Sequence, residues 1–170
     1  AAATWVPTVW SALLALLMLG PALGPGYVLS YDMVWVPDLA LRPDFVGVGL
    51  GLPRAVPSDA VVSVLDEVVP GMLLQKVVLL GALVTAGSGA AAIVGRPPRG
   101  ERDRPDLAAR CLAASFFVWN PFVVERMVIG HWPLLLGYAL SPWLFLAARS
   151  YRHGGRVGAL LLLLPVASLS

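Results

Sequence analysis

The sequence predicts an all-α fold, a polytopic bundle of about five transmembrane helices. Of its 170 residues, 58% are hydrophobic and only 13% are charged, and the mean hydropathy is +0.80. Soluble domains carry roughly a quarter charged residues. The apolar residues form blocks separated by Pro, Gly and Arg clusters, as in chains that cross a bilayer repeatedly. This composition excludes an ordinary water-soluble domain, and its hydrophobicity excludes a disordered tail.

The charged residues do not indicate a nucleic-acid-binding or metal-binding protein. Twelve Lys and Arg stand against ten Asp and Glu, a net charge of +2, whereas a nucleic-acid-binding domain needs a strongly basic hydrophilic face. The single cysteine, Cys111, allows no internal disulfide and no Cys/His cluster of the zinc type. We therefore predict no nucleic-acid partner, no metal and no cofactor.

Five apolar blocks are the candidates for membrane crossings. They lie near residues 9–29, 71–94, 107–120, 133–148 and 157–170, and the third ends where Asn120 and Pro121 interrupt the helical pattern. The first block is predicted to be a retained helix rather than a signal peptide, because no basic region precedes it. The sequence begins without an initiator Met and stops inside the fifth block. We expect residues 1–170 to be one transmembrane domain taken from a longer protein.

The segment 30–70 is predicted to be a long loop on the membrane surface. It has six acidic and two basic residues, a local charge of −4, yet Val, Leu and Trp keep it apolar. Ser58 is placed to cap a helix over residues 59–69, and a helix with one polar and one apolar side lies in the plane of the interface. The polar side is Asp59, Ser63, Asp66 and Glu67, and the apolar side is Val61, Val64, Leu65 and Val68.

The arginines predict which side of the membrane each loop occupies. The loops after the second and fourth crossings share a side and hold most of the arginines, so the positive-inside rule places both in the cytoplasm. Residues 30–70 and 120–132 then lie together on the outer face. The prediction is a multi-pass plasma-membrane protein whose first partner is the lipid bilayer.

Two aspartates just beyond the first crossing are candidate catalytic residues. Asp32 and Asp38 flank Trp35, and a carboxylate near an apolar boundary can act as a general base because partial desolvation raises its basicity. Trp35 can bind substrate by stacking on a sugar ring, or it can be an ordinary interfacial aromatic residue. The competing interpretation is that both aspartates only mark where the helix leaves the lipid.

A second group of polar residues lies between the third and fourth crossings. Asn120, Glu125, Arg126 and His131 fall between blocks that are almost wholly apolar, and polar groups at the bilayer edge usually have partners or functions. Arg126 can bind a phosphate through its guanidinium fork, and all four residues are candidates for substrate binding. In the structural interpretation, Asn120 caps the helix that Pro121 opens, Glu125 and Arg126 anchor the interface, and His131 has no role.

The spacing of Glu125 and His131 sets a condition on this second group. In one continuous helix they lie about 240° apart and cannot share a face. Either the segment bends at Gly130, or only some of these residues face one site.

The order of these features resembles that of a known class of membrane enzymes. A first crossing that ends at an aspartate, a long outer loop with an interfacial helix, and alternating crossings with short connections look like the amino-terminal part of the multi-pass glycosyltransferases of the GT-C class. Residues 53–62 and 120–132 are also similar to segments of large actinobacterial membrane proteins of cell-envelope assembly. The paired Asp-x-Asp or adjacent-acid signature of some branches is absent, because Asp32 and Asp38 are six positions apart.

The resemblance implies a membrane glycosyltransferase of cell-envelope glycan assembly. Enzymes of this class transfer a sugar from a polyprenyl-phosphate donor on the outer face to a glycan acceptor, and an acid in the first outer loop acts as base or coordinates the acceptor. Asp32 matches that position best, with Asp38 second. Glu125 and Arg126 are counterparts of the outer-loop residues that hold the donor phosphate. Other envelope-synthesis proteins are the further partners implied.

Two other functions stay open at this point. A transporter of lipid-linked glycans or small molecules would line a path at the bilayer midplane with charged residues, whereas the charges here cluster at helix ends. A non-catalytic scaffold of an envelope-synthesis complex would use its arginine-rich turns to bind anionic lipid or a cytoplasmic partner.

Overall fold

The computed structural model describes residues 2–48, 55–95 and 106–169. Within these ranges the protein is helical and has no β-strand. Five arginines that entered the charge argument lie outside the described residues: Arg54, Arg96, Arg99, Arg102 and Arg104. The helices are α1 (Ala2–Leu19), α2 (Ser58–Asp66), α3 (Gly71–Val94), α4 (Leu107–Val118), α5 (Pro121–Ile129), α6 (Trp132–Arg152) and α7 (Gly158–Ala167), with 3₁₀ helices at Gly20–Leu23 and Pro43–Val46.

Each of the five predicted apolar blocks overlaps one α-helix, and α2 and α5 lie between these helices. In the described part of the chain, three segments are long and apolar enough to cross a membrane: Trp5–Leu23, Gly71–Val94 and Leu107–Ile129. The apolar helix α7 has only 10 residues. The prediction of an all-α bundle is confirmed, and three of its segments are candidate membrane spans.

The first crossing begins and ends earlier than predicted. The α-helix stops before Gly20, whose φ is +43°, and Pro21 has no N–H with which to continue the helical hydrogen bonds. The 3₁₀ turn then ends at Leu23. Beyond it the chain is held by α3, because the Gln75 side chain bonds both the N–H and the carbonyl of Val28, at 2.8 and 2.7 Å.

The predicted interruption of the third crossing is confirmed. α4 ends at Val118 and Pro121 opens α5. Asn120 caps α5, because its Oδ1 accepts a hydrogen bond from the Val123 N–H at 3.0 Å. Its Nδ2 donates to a carbonyl of α4 at 2.9 Å and to Tyr138 Oη at 3.0 Å. Asn120 therefore joins α4, α5 and α6, as the structural interpretation of this residue required.

The long helices alternate in direction around α3. α1 and α4 run antiparallel to it, and Ser11 and Val118 pack against Gly87. α6 runs parallel to α3, with Trp143 Nε1 donating to the Thr85 carbonyl at 2.9 Å. α1, α5 and α7 therefore end at the same end of the bundle, where α3 and α6 begin.

We call the two ends of the bundle the aspartate end and the arginine end. The aspartate end holds Asp32, the start of α2 and the α5–α6 junction, which line a common cavity. The arginine end holds the last turn of α6, with Arg149 and Arg152, and the start of α4. The described parts of 30–70, which are 30–48 and 55–70, therefore lie at the aspartate end together with 120–132, the segment predicted to share their side. The described flanks of both arginine-rich loops lie at the other end.

Small residues of α3 let its neighbours approach closely, as the cluster of Gly and Ala in its second half predicts. A Cβ added to Gly87 would lie 2.6 Å from Val118 Cγ2 and would overlap Ser11 Oγ. A Cβ added to Gly89 would lie 2.7 Å from Trp143 Nε1. Close packing of this kind is typical of helices in lipid, where van der Waals contact contributes strongly to their association.

α2 turns its polar side inward and its apolar side outward. A surface helix in water shows the opposite arrangement, so the outward side of α2 is suited to an apolar surrounding. The buried residues are Ser58, Asp59, Val62 and Ser63, and the exposed ones include Val61, Val64 and Leu65.

The predicted cap of α2 is wrong. Pro57 occupies the N-cap position and the helix begins at Ser58 and ends at Asp66, three residues earlier than predicted. The Ser58 hydroxyl does not bond a helix N–H, because it donates to the carbonyl of Leu169, beyond the end of α7. A tertiary contact thus takes the group that the sequence pattern assigned to the cap.

Candidate functional site

Asp32 and His131 are in direct contact at the aspartate end. His131 Nε2 lies 2.8 Å from Asp32 Oδ2, although the two residues are 99 positions apart. The Asp32 side chain is 62% exposed and that of His131 is 36% exposed, so a ligand can reach both. The sequence indicated each residue in a separate group, and the fold brings the two groups together.

A backbone turn holds Asp32 against the end of α5. The Met33 N–H donates to the Ser30 carbonyl at 2.7 Å, and the Asp32 N–H donates to the Ile129 carbonyl at 2.9 Å. Ser30 Oγ donates to the Val128 carbonyl. The last carbonyls of a helix have no partner within the helix, so this turn satisfies the end of α5 and fixes the backbone of Asp32 at the same time.

Gly130 lets α5 end and the chain return toward Arg126. Its φ is +90°, the left-handed conformation that glycine adopts most readily. A Cβ there would also overlap the Met33 nitrogen and the Ser30 carbonyl oxygen. Of the two alternatives for Glu125 and His131, the structure shows the bend at Gly130.

A chain of polar contacts connects α5 to Asp32. Arg126 Nη2 donates to Glu125 Oε2 at 3.1 Å. Arg126 Nη1 lies 2.9 Å from His131 Nδ1, and the other ring nitrogen faces Asp32. His131 is the central member of this chain.

These contacts determine the hydrogen-bonding roles of the His131 ring. A guanidinium has donors only, so the Nδ1 that faces Arg126 must accept. In a neutral imidazole the proton is then on Nε2, which donates to the Asp32 carboxylate; this tautomer is assigned from the positions of the heavier atoms. Asp32 Oδ2 is thereby occupied, whereas Oδ1 has no hydrogen-bond partner among the described residues.

Arg126 is the most enclosed charged member of this chain. Its side chain is 23% exposed, against 56% for Glu125, and its guanidinium carbon lies 5.6 Å from the Phe122 ring centroid, within cation–π range. Its Nε is buried and has no hydrogen-bond partner among the described residues. Both terminal nitrogens contact protein groups, which favours a positioning role for Arg126 over a direct grip on a phosphate.

A cavity of about 420 Å³ opens beside Asp32 and His131. Its volume is in the range of small-molecule binding sites, and its wall combines the outer loop, the start of α2 and the α5–α6 junction. The lining residues are Asp32, Ala55, Val56, Ser58, Asp59, Gly130, His131, Trp132, Pro133 and Leu134.

Ser58 and Asp59 are cavity residues that the sequence reasoning placed elsewhere, as a cap and on a polar helix side. Each is only 2% exposed, and both line the cavity. Asp59 thus adds a second carboxylate to the wall that holds Asp32. The only local signal was an acid in the first turn of a short helix, and that signal does not distinguish an inward side chain from an outward one.

Asp38 and Trp35 do not line this cavity. Asp38 is exposed, has a φ of +56° and makes no hydrogen bond or ion pair with any residue that the structure describes. Trp35 is 2% exposed and packs on Trp132, with 4.9 Å between ring centroids. The aromatic residue that borders the cavity is therefore Trp132, and Trp35 supports it from behind.

Across residues 2–48, 55–95 and 106–169, no three His, Cys, Asp or Glu side chains come together in a way that could hold a metal ion.

The chain matches no known protein family, no curated protein and no solved structure. Its fold and site therefore define it: an all-helical bundle with three candidate membrane spans and a carboxylate–imidazole site at one end.

Proposed function

We propose that this chain is the reaction-centre part of a membrane glycosyltransferase of cell-envelope glycan assembly. It takes a sugar from a polyprenyl-phosphate donor and passes it to a glycan acceptor at the aspartate end. The observation that carries the proposal is the Asp32 carboxylate on the cavity wall, oriented by His131 Nε2 at 2.8 Å. A general base must lie within hydrogen-bond reach of the hydroxyl that it deprotonates, and the cavity gives an acceptor hydroxyl that access.

In this reaction Asp32 is the general base. Its Oδ1 takes the proton from the acceptor hydroxyl while the hydroxyl oxygen attacks the anomeric carbon of the donor sugar. The bond from that carbon to the phosphate oxygen breaks, and polyprenyl phosphate leaves with the electron pair. His131 holds Oδ2 through its Nε2–H, so Oδ1 remains for the acceptor. Such positioning of a base contributes typically about 10²- to 10⁴-fold in rate.

The neighbouring residues position the base and the sugar. Arg126 acts through His131, because its guanidinium fixes the ring tautomer, and Glu125 holds that guanidinium from the far side. Asp59 lies on the same cavity wall, where its side chain is 2% exposed. Trp132 contributes an apolar surface for the sugar ring.

The same proposal includes a topology of five crossings, α1, α3, α4 with α5, α6, and α7. The arginine end is cytoplasmic by the positive-inside rule, which puts the aspartate end on the outer face of the plasma membrane. α2 rests on the lipid surface, because its outward residues are apolar and Val64 is 58% exposed. A lipid-linked donor then meets the cavity without leaving the membrane.

The test is complementation by the full-length protein in cells depleted of the native copy. Asp32→Asn removes the base and is expected to abolish formation of the envelope glycan, measured by sugar analysis and by transfer of labelled sugar in isolated membranes. Asp38→Asn is the matched control, because Asp38 lies outside the cavity lining. It is expected to restore the glycan. Normal glycan from Asp32→Asn, at wild-type protein level, would refute the proposed reaction.

A further inference from the structure

We infer that the arginine end carries a binding site for the headgroup of an anionic phospholipid. A cavity of about 440 Å³ lies at the last turns of α6, lined by Phe145, Ala148, Arg149, Arg152 and His153. This cavity is separate from the Asp32 site, which lies at the opposite end of the bundle. The inference does not depend on the proposed glycosyl transfer.

The charged residues in the described lining of this cavity are basic. The sequence from 133 to 170 contains no acidic residue and contains Arg149, Arg152 and Arg156. Arg149 and Arg152 are three positions apart on one helix, so their side chains share a face. The Arg152 side chain is exposed and forms no ion pair with any carboxylate among the described residues. A phosphate suits this site, because guanidinium groups bind phosphate oxygens through paired hydrogen bonds.

The wall of the cavity changes from apolar to basic within one helical turn. Phe145 is 53% exposed and lies one turn before Arg149, and Ala148 lies between them. Leu161 and Leu162 of α7 are 63% and 75% exposed. A ligand that fills such a site has an anionic head and an apolar tail. A phospholipid meets both requirements, whereas a soluble phosphate uses only the basic part.

The phospholipid must be anionic rather than zwitterionic. A choline headgroup would bring a cation beside the Arg152 guanidinium, whereas phosphatidylglycerol brings a net negative charge without one. Basic residues near an anionic membrane surface each contribute enough to change affinity by about fivefold. The aspartate end offers no such attraction, because the exposed carboxylate of Asp32 lines its cavity.

The experiment measures lipid retention by the full chain purified in detergent. Native mass spectrometry with added phosphatidylglycerol or phosphatidylcholine is expected to show at least fivefold preference for phosphatidylglycerol. In the double variant Arg152→Gln/His153→Gln we expect phosphatidylglycerol affinity to fall by at least about fivefold. Arg42→Gln is the matched control, because Arg42 is a 65% exposed arginine of the other end, and it should retain wild-type affinity.

Three results would overturn the inference. Equal retention of the two lipids would show that the site does not select negative charge. Equal phosphatidylglycerol affinity in the double variant and in Arg42→Gln would place the lipid elsewhere. Displacement of phosphatidylglycerol by millimolar inorganic phosphate would identify the site as one for a soluble anion. Thermal unfolding of each variant checks that the fold is intact. A variant that loses glycosyl transfer but keeps its lipid affinity would bear on the proposed function and not on the lipid site.

Discussion

Arg126 Nη1 lies 2.9 Å from His131 Nδ1, and this contact makes the guanidinium part of the site without bringing it to the cavity. The donor-only guanidinium leaves the Nε2 of His131 as the nitrogen that carries the proton toward Asp32. The two residues are five positions apart in sequence, and they meet because the chain reverses at Gly130.

Replacement of Arg126 distinguishes positioning from phosphate binding. For Arg126→Gln we expect kcat to fall by about 10- to 100-fold, since a hydrogen bond to a charged group contributes about 1.5–3 kcal/mol. The KM for the polyprenyl-phosphate sugar should stay near wild type, because both terminal nitrogens of Arg126 already contact Glu125 and His131. Initial rates at varied donor concentration in proteoliposomes measure both constants. A large rise in KM with little change in kcat would instead assign Arg126 to the donor phosphate.

Gly130 is expected to be the least replaceable glycine of the site. Gly130→Ala adds the left-handed backbone penalty and an overlap with the backbone of Met33 and Ser30, together about 3 kcal/mol of unfolding free energy. Gly154 also has a positive φ, +83°, but has no atom within 4 Å of its added Cβ. Gly154→Ala should therefore lose only about 1 kcal/mol. Denaturant titration in detergent, followed by far-UV circular dichroism, compares the two, and equal losses would contradict the overlap.

Asn120 is expected to act on stability rather than on substrate binding. Asn120→Ala removes the cap on Val123 and the contact with Tyr138, and should lower the free energy of unfolding by about 1–2 kcal/mol. Asn120→Ser retains a cap acceptor but loses the amide donors, so its loss should be smaller. The KM for donor and acceptor should not change in Asn120→Ser. A raised KM at wild-type stability would return Asn120 to the substrate site.

The sidedness of the bundle can be measured by cysteine labelling. In a Cys111→Ala background, Asp44→Cys and Arg152→Cys place single thiols in the outer loop and at the arginine end. A membrane-impermeant maleimide added to intact cells should label the first and not the second, because arginine-rich loops stay in the cytoplasm. Labelling of both from the same side would remove the outer-face assignment of Asp32 and with it the proposed reaction.

The sequence by itself determined where the long apolar helices lie and where the third block is interrupted, but not the ends of α1 and α2. The block predicted at 71–94 is α3, Gly71–Val94, because a long apolar run is a local property that needs no partner to be recognised. The break at Asn120 and Pro121 is equally local, since proline cannot donate the helical hydrogen bond wherever the helix packs. The alternation of the apolar blocks and the placement of the arginines also predicted that residues 30–70 and 120–132 share one side.

Only the tertiary structure decided which polar groups form the site. Asp32 and His131 meet across 99 positions because the turn at Ser30 caps α5 and Gly130 reverses the chain, and neither event has a periodic signal. Asp59 lines the cavity, and the tryptophan that borders the cavity is Trp132 rather than Trp35. Burial depends on which element covers a residue, so the sequence pattern alone did not distinguish these side chains. The hydrophobic pattern determines which segments form the long helices, whereas the long-range packing of the turn at Ser30 against α5 determines which polar side chains meet.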